Sequence, residues 1–218
     1  MNSSTSQWGF HHWVGSASDF HQKDLEPNRA VWWCDVDAPA LIIGSTQSQD
    51  DIDKTAAASM EIDIVRRRSG GGAVYVHPTD SIWIDVTIPK KDALWIDDVT
   101  QSMLWLGDAF VKALSPWVDA RVHRDAFDAG DNGRSVCFAS TSPGEVFVGT
   151  QKLVGISQRR GRDGARMQCI LYRVWNPAVW TPALSSPTAR TTATDLSVAT
   201  IDAATADIVA ALVAALSL

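Results

Sequence analysis

Cysteine is scarce in this chain, and its scarcity excludes two classes of protein at once. The 218 residues carry three, Cys34, Cys137 and Cys169, an odd number with no CxxC pair, so neither a disulfide framework nor a cysteine zinc site is encoded. A basic excess is also missing. With 19 Lys and Arg against 25 Asp and Glu, the formal net charge is −6, the wrong sign for a protein built to grip nucleic acid. Nowhere does a run of the roughly 18 apolar residues of a membrane span occur. Met1 to Phe10 is polar and lacks the apolar centre of an export signal. These absences give the expectation of a cytoplasmic protein with no protein-bound metal and with neither nucleic acid nor membrane among its partners.

What is present suits one enzyme-sized unit, residues 1–218, with 45% hydrophobic residues to fill a core. Arg29 to Cys34 and Ala40 to Gly44 read as two strands of a hairpin joined by an Asp/Pro turn, and Ser48 with Asp51 reads as the cap of a helix running to about Ser59. Ile82, Ile84, Val86 and Ile88 alternate with Trp83, Asp85 and Thr87, the period of a strand with one face in the core and the other free for a ligand. Met103, Leu104, Leu106, Phe110, Val111 and Leu114 fall at helical spacing, which predicts a helix from about Asp98 to Ser115. Further strands are expected over Glu145–Gly149, Lys152–Ser157 and Met167–Val174, with a turn at Thr150-Gln151, and a closing helix over Ala203–Leu216. The predicted class is α+β: a central mixed β-sheet flanked by helices, with its core in residues 29–175 and the C-terminal helix at 203–216.

Two clusters stand out from this frame. Arg66-Arg67-Arg68-Ser69-Gly70-Gly71-Gly72-Ala73-Val74 drives three arginines against three glycines between strand-like runs. Glycines without a Cβ let backbone N–H groups turn toward an anion, and arginine adds fixed charge in a forked geometry. The second cluster is Lys152-Leu-Val-Gly155-Ile-Ser157, with a lysine in a strand beside small residues. Alone, Lys152 reads as an edge-strand lysine that blocks aggregation.

Taken together and in this order, the two clusters resemble the signatures of the lipoate-protein ligase family, which read as two arginines, a variable residue, Ser, three glycines, Ala and Val, and then Lys, two residues, Gly, one residue and a small residue. The resemblance implies the catalytic-domain fold shared with biotin ligases and octanoyltransferases. It also implies an enzyme that activates lipoate or octanoate with ATP as an acyl-adenylate, Mg²⁺ accompanying the nucleotide. The acyl group would pass to a lysine of a lipoyl carrier domain, of the glycine cleavage H protein or the 2-oxoacid dehydrogenase E2 type. On this resemblance Arg67, Ser69, Gly70, Gly71, Gly72 and Ala73 would line the acyl-adenylate site, and Lys152 would contact the carboxylate and the α-phosphate. Trp32, Trp33, Trp83 and Ile82 are candidate walls for the acyl chain.

The chain departs from the pattern in three places. Val76 stands where the family has histidine, so His77 is displaced by one position and flips to the other face of a strand, as a surface residue would. Gln168-Cys169-Ile170 replaces the family's His-Gly-Thr. The accessory C-terminal domain of the long ligases is not seen in these residues, which opens the expectation of a separate accessory subunit. Two alternatives stay open: Val136-Cys137-Phe138 resembles the octanoyltransferase loop whose cysteine carries the acyl group as a thioester, and a relative could keep the carboxylate or nucleotide pocket without turnover.

Overall fold

The computed structural model describes residues 7–130 and 132–217, so the reading of residues 1–6 lies outside the described residues. A seven-stranded mixed sheet runs through the molecule. Its strands are β1 (Gly9–Gly15), β2 (Ala30–Val36), β6 (Ser81–Pro89), β10 (Gly164–Tyr172), β9 (Gln151–Arg160), β8 (Val146–Val148) and β7 (Arg121–Val122), neighbours in that spatial order. β1 and β2 are parallel and the other neighbours antiparallel. A second sheet of three strands places β3 (Ala40–Ile43) between β4 (Asp63–Arg66) and β5 (Val74–Val76).

The alternation in β6 divides the molecule. Ile82, Ile84, Val86 and Ile88 enter the core beneath α3 (Leu104–Leu114) and α5 (Thr205–Leu216), whereas Trp83 enters a separate core shared with Ile42, Val74 and Val76 of the small sheet. Leu106, Phe110 and Leu114 of α3 are completely buried, each contributing about 2 kcal/mol of apolar burial. The space between the large sheet and the small one receives α1 (Ala17–Gln22) and the glycine loop that joins β4 to β5.

The mixed α/β architecture agrees with expectation, and several elements are displaced from it. β2 and β3 are not a hairpin: β2 pairs with β1 and β6, while the wholly buried β3 is the centre of the other sheet. Ser48 caps only a single turn, Gln49–Asp51, and the helix proper, α2 (Lys54–Ser59), starts from Asp53, whose Oδ1 accepts from the N–H groups of Thr55 and Ala56. Asp98 accepts from both the N–H and the hydroxyl of Thr100, a local turn that delays α3 to Leu104. The turn before β9 is Gly149-Thr150, one residue earlier than expected, because Gly149 takes φ of 56°. Four of these elements stand outside the expectation: β1, β7, α1 capped by Ser16, and α4 (Pro187–Asp195) capped by Ser186.

Candidate active site

The glycine loop is shaped by close approach. Gly71 has φ of 101°, and Gly44 lies so near it that a Cβ on Gly44 would fall 1.9 Å from the Gly71 carbonyl oxygen. A Cβ on Gly72 would meet the backbone of Val136 and Cys137 at 2.7 and 2.8 Å, whereas one on Gly70 would meet nothing within 4 Å. The three glycines therefore have different jobs: Gly72 packs, Gly71 turns, and Gly70 stays open. Among the described residues, none of their N–H groups has a backbone partner. Ala73 closes the loop by donating to Ser135 O at 2.9 Å and accepting from Cys137 N at 3.1 Å.

Arg67 braces the loop from within. It is 5% exposed, and its guanidinium donates to Gly70 O at 2.8 Å and Gly72 O at 2.9 Å through Nη2. Among the described residues no carboxylate pairs with it. A buried charge without a counter-charge is costly, and this one lies at the wall of a cavity. Its neighbours fare differently: Arg66 is spent on the carbonyls of Gly44, Ser45 and Gln47, and Arg68 pairs with Asp24 at the surface.

That cavity lies between the sheets and is about 30 Å³ in volume. Ile42, Val74, Val76, Trp83 and Ile170 give it apolar walls. A polar series runs along one wall through Ser69 behind it: Ser157 Oγ lies 3.2 Å from Ser69 Oγ, Ser69 donates to Gln168 Oε1 at 2.7 Å, and Gln168 Nε2 lies 3.2 Å from His21 Nδ1. Burial first, then the charges of Arg166 and Arg67, depress the His21 pKa to about 3, so the ring is neutral. Behind the wall, buried Asp85 accepts from Trp83 Nε1 at 2.6 Å and from Arg166, which also reaches Phe20 O and Lys23 O and so ties α1 to the sheet. Burial pushes the Asp85 carboxyl up, against the pull of Arg166.

Lys152 is placed just outside this cavity. Its Nζ donates to Glu145, 2.8 Å from Oε2, and to Cys137 O at 3.1 Å, and lies 5.3 Å from the Phe138 ring centroid. Both members of the pair are buried, and burial pushes the Glu145 carboxyl up against the opposing charge of Lys152. Cys137 connects the two regions: its carbonyl meets Lys152, while its half-buried Sγ lines the cavity 3.9 Å from Arg67 Nη2. On the other side of Gly71 opens a polar cleft of about 390 Å³, with Thr46, Ser48, Asp51, Arg134 and Ser140 among its walls.

The structure thus gathers Arg67, Ser69, Gly71, Gly72, Ala73 and Cys137 at one place and sets Lys152 one residue behind it. Of the aromatic candidates, Trp83 lines the cavity. Trp32 packs outside it near Phe20, Trp33 lies on the α5 side, and Ile82 points into the opposite core, because adjacent strand positions face opposite ways. His77 is a turn residue near Thr79 and Asp80, away from the cavity, as its displacement by one position predicted. Cys34 and Cys169 are buried, and Cys169 also contributes to the cavity wall. His21 and Glu145 were missed. Glu145 had a signal, a carboxylate at the mouth of a tight hairpin that ends in Lys152, but His21 lies in a helix that the polar N-terminal stretch does not announce.

A family model of the lipoyl protein ligase A/B catalytic domain matches residues 13–212. No curated protein sequence matches the chain. Among solved structures, a bipartite lipoate protein ligase from Thermoplasma acidophilum, studied with its E2 lipoyl domain, is similar at a TM-score of 0.71 and 16% identity, over 97% of this chain and 83% of that one. Lipoate-protein ligase A bound with ATP is similar at a TM-score of 0.71 and 17% identity, over 97% and 84%. LipL1 of P. falciparum, in complex with lipoate, is similar at 0.59 and 14% identity, over 94% of this chain and 58% of that one. At these identities the likeness is one of fold.

Proposed function

The chain belongs to the lipoyl protein ligase A/B catalytic-domain family, and from that premise we propose that it is an ATP-dependent acyl-protein ligase acting on lipoate or octanoate. The observation that carries the reading is Arg67: a buried cation with no carboxylate partner among the described residues, at the wall of a largely apolar cavity. A carboxylic acid with an apolar chain meets both needs, its carboxylate compensating the arginine and its chain filling the cavity.

In the first half-reaction a carboxylate oxygen attacks the α-phosphorus of ATP and pyrophosphate leaves. The uncommitted N–H groups of Gly70, Gly71 and Gly72 are suited to the phosphate oxygens, and the cleft beyond Gly71 offers room for the nucleotide. Mg²⁺ accompanying the nucleotide would offset the charge of its phosphates. Lys152 is held ready by Glu145; exchanging the Cys137 carbonyl for an oxygen of the acid would bring its charge to the reacting centre. In the second half-reaction the amine of a carrier lysine attacks the acyl carbon and AMP leaves. The lipoyl domain studied with the T. acidophilum ligase supports a lipoyl-type carrier as acceptor.

A second reading, transfer through a Cys137 thioester without ATP, is favoured by one observation, the Cys137 Sγ in the cavity wall beside Arg67. The two readings part on pyrophosphate. Lipoate or octanoate with ATP should release it, and no release with either acid would contradict ligation.

A further inference from the structure

A residue of the cavity wall carries a buried hydrogen-bond donor that the alkyl chain of a fatty acid cannot satisfy. Ser69 donates to Gln168 Oε1, which turns the Gln168 amide nitrogen toward His21 Nδ1. Nδ1 is thereby the acceptor of a neutral ring, and the ring proton sits on Nε2. His21 is 6% exposed, and its Nε2 has no partner among the described residues. Among the described residues it is the one in the cavity wall that leaves a buried side-chain nitrogen or oxygen unpartnered. Trp83, the neighbouring ring at 4.8 Å, has already committed its N–H to Asp85. A buried donor left unpaired is disfavoured, so the site discriminates in favour of a ligand that supplies an acceptor.

From this we infer that the cavity is selective for a carboxylic acid whose chain carries an oxygen acceptor, a hydroxyl or carbonyl, placed to receive the N–H of His21. The inference rests on the proposed reading of the cavity as the acid's site and adds the class of acid it prefers. Arg67 answers the carboxylate; His21 is a specificity-determining residue for the chain. An unsubstituted octanoate buries the same apolar surface but leaves the donor unanswered.

The test is a calorimetric comparison, without ATP, of octanoate with a series of hydroxy-octanoates bearing the hydroxyl at successive positions along the outer half of the chain. Binding by the wild-type protein should be about 10-fold or more tighter for the best-placed hydroxy acid than for octanoate. His21→Phe, which keeps the ring and removes the donor, should erase that preference while retaining octanoate. Equal or weaker binding of every hydroxy acid by the wild-type protein would overturn the inference, since a lodged water would then be satisfying Nε2. A His21→Phe protein that loses all acids equally would overturn it too, placing His21 on the carboxylate. The wild-type comparison stands even if the variant does not fold. Failure of every acid to bind would contradict the ligase reading itself, an outcome separable from an absent preference.

Discussion

Arg67 is a buried cation whose own backbone loop, rather than a carboxylate, takes its hydrogen bonds. The loop depends on it geometrically and the ligand would depend on it electrostatically. The three glycines beside it make this testable one position at a time. Gly70→Ala meets open space and should leave acid-dependent pyrophosphate release within about twofold of wild type. Gly72→Ala must displace the backbone of Val136 and Cys137, and Gly71→Ala must hold φ of 101° with its Cβ 2.7 Å from Arg67 Nη2; both should lower release by about 10-fold or more. Equal effects at the three positions, read from initial rates, would contradict the division of roles. His21 supplies a second check. Its pKa falls from 6.5 toward about 3 on folding, so the unfolded chain binds the extra proton between those values. This contribution to stability is complete above about pH 6.5 and is lost as the pH falls. Between pH 7 and pH 5 the wild type should lose about 2 kcal/mol in urea unfolding beyond what His21→Phe loses.

The elements around the site are held by buried polar ties as much as by apolar packing. Arg166 joins Asp85 of β6 to the end of α1 through Phe20 O and Lys23 O, so removing it strands a buried carboxylate and releases the helix that carries His21. Arg166→Met should cost about 3 kcal/mol in denaturant unfolding, and the double variant with Asp85→Asn should recover part of that loss. Additive losses would show that the pair is not coupled. The same ties explain what could be read in advance. β6 was legible because its alternation is unbroken over its length, and α3 because its apolar stripe is wide. The pairing of β2 and β3 was not, since a short connection between two apolar strands looks alike whether the strands share a sheet or pass between two. α1 was not either: a six-residue helix with Asp, His and Gln carries no stripe, and its place is set by Arg166 from a strand far along the chain.

At the scale of the molecule, a cavity lies between two sheets, with Arg67 at the start of the glycine loop in its wall. The residues of the two sequence clusters met there, because both motifs sit where the chain leaves or enters a strand and strand register fixes their positions. Sequence could not foretell that Gln168 would link Ser69 to His21, since those contacts cross between elements far apart in the chain, whereas Glu145 and Lys152 face each other across a single hairpin. The most direct test of the central claim, that Arg67 and its loop hold an acid for activation by ATP, is mass spectrometry of the protein after incubation with lipoate or octanoate, ATP and Mg²⁺, in the absence of carrier. Wild type should retain a noncovalent acyl-adenylate that is lost on denaturation and is not formed by Arg67→Ala. A covalent acyl adduct on Cys137 without adenylate, or adenylate undiminished in Arg67→Ala, would contradict it.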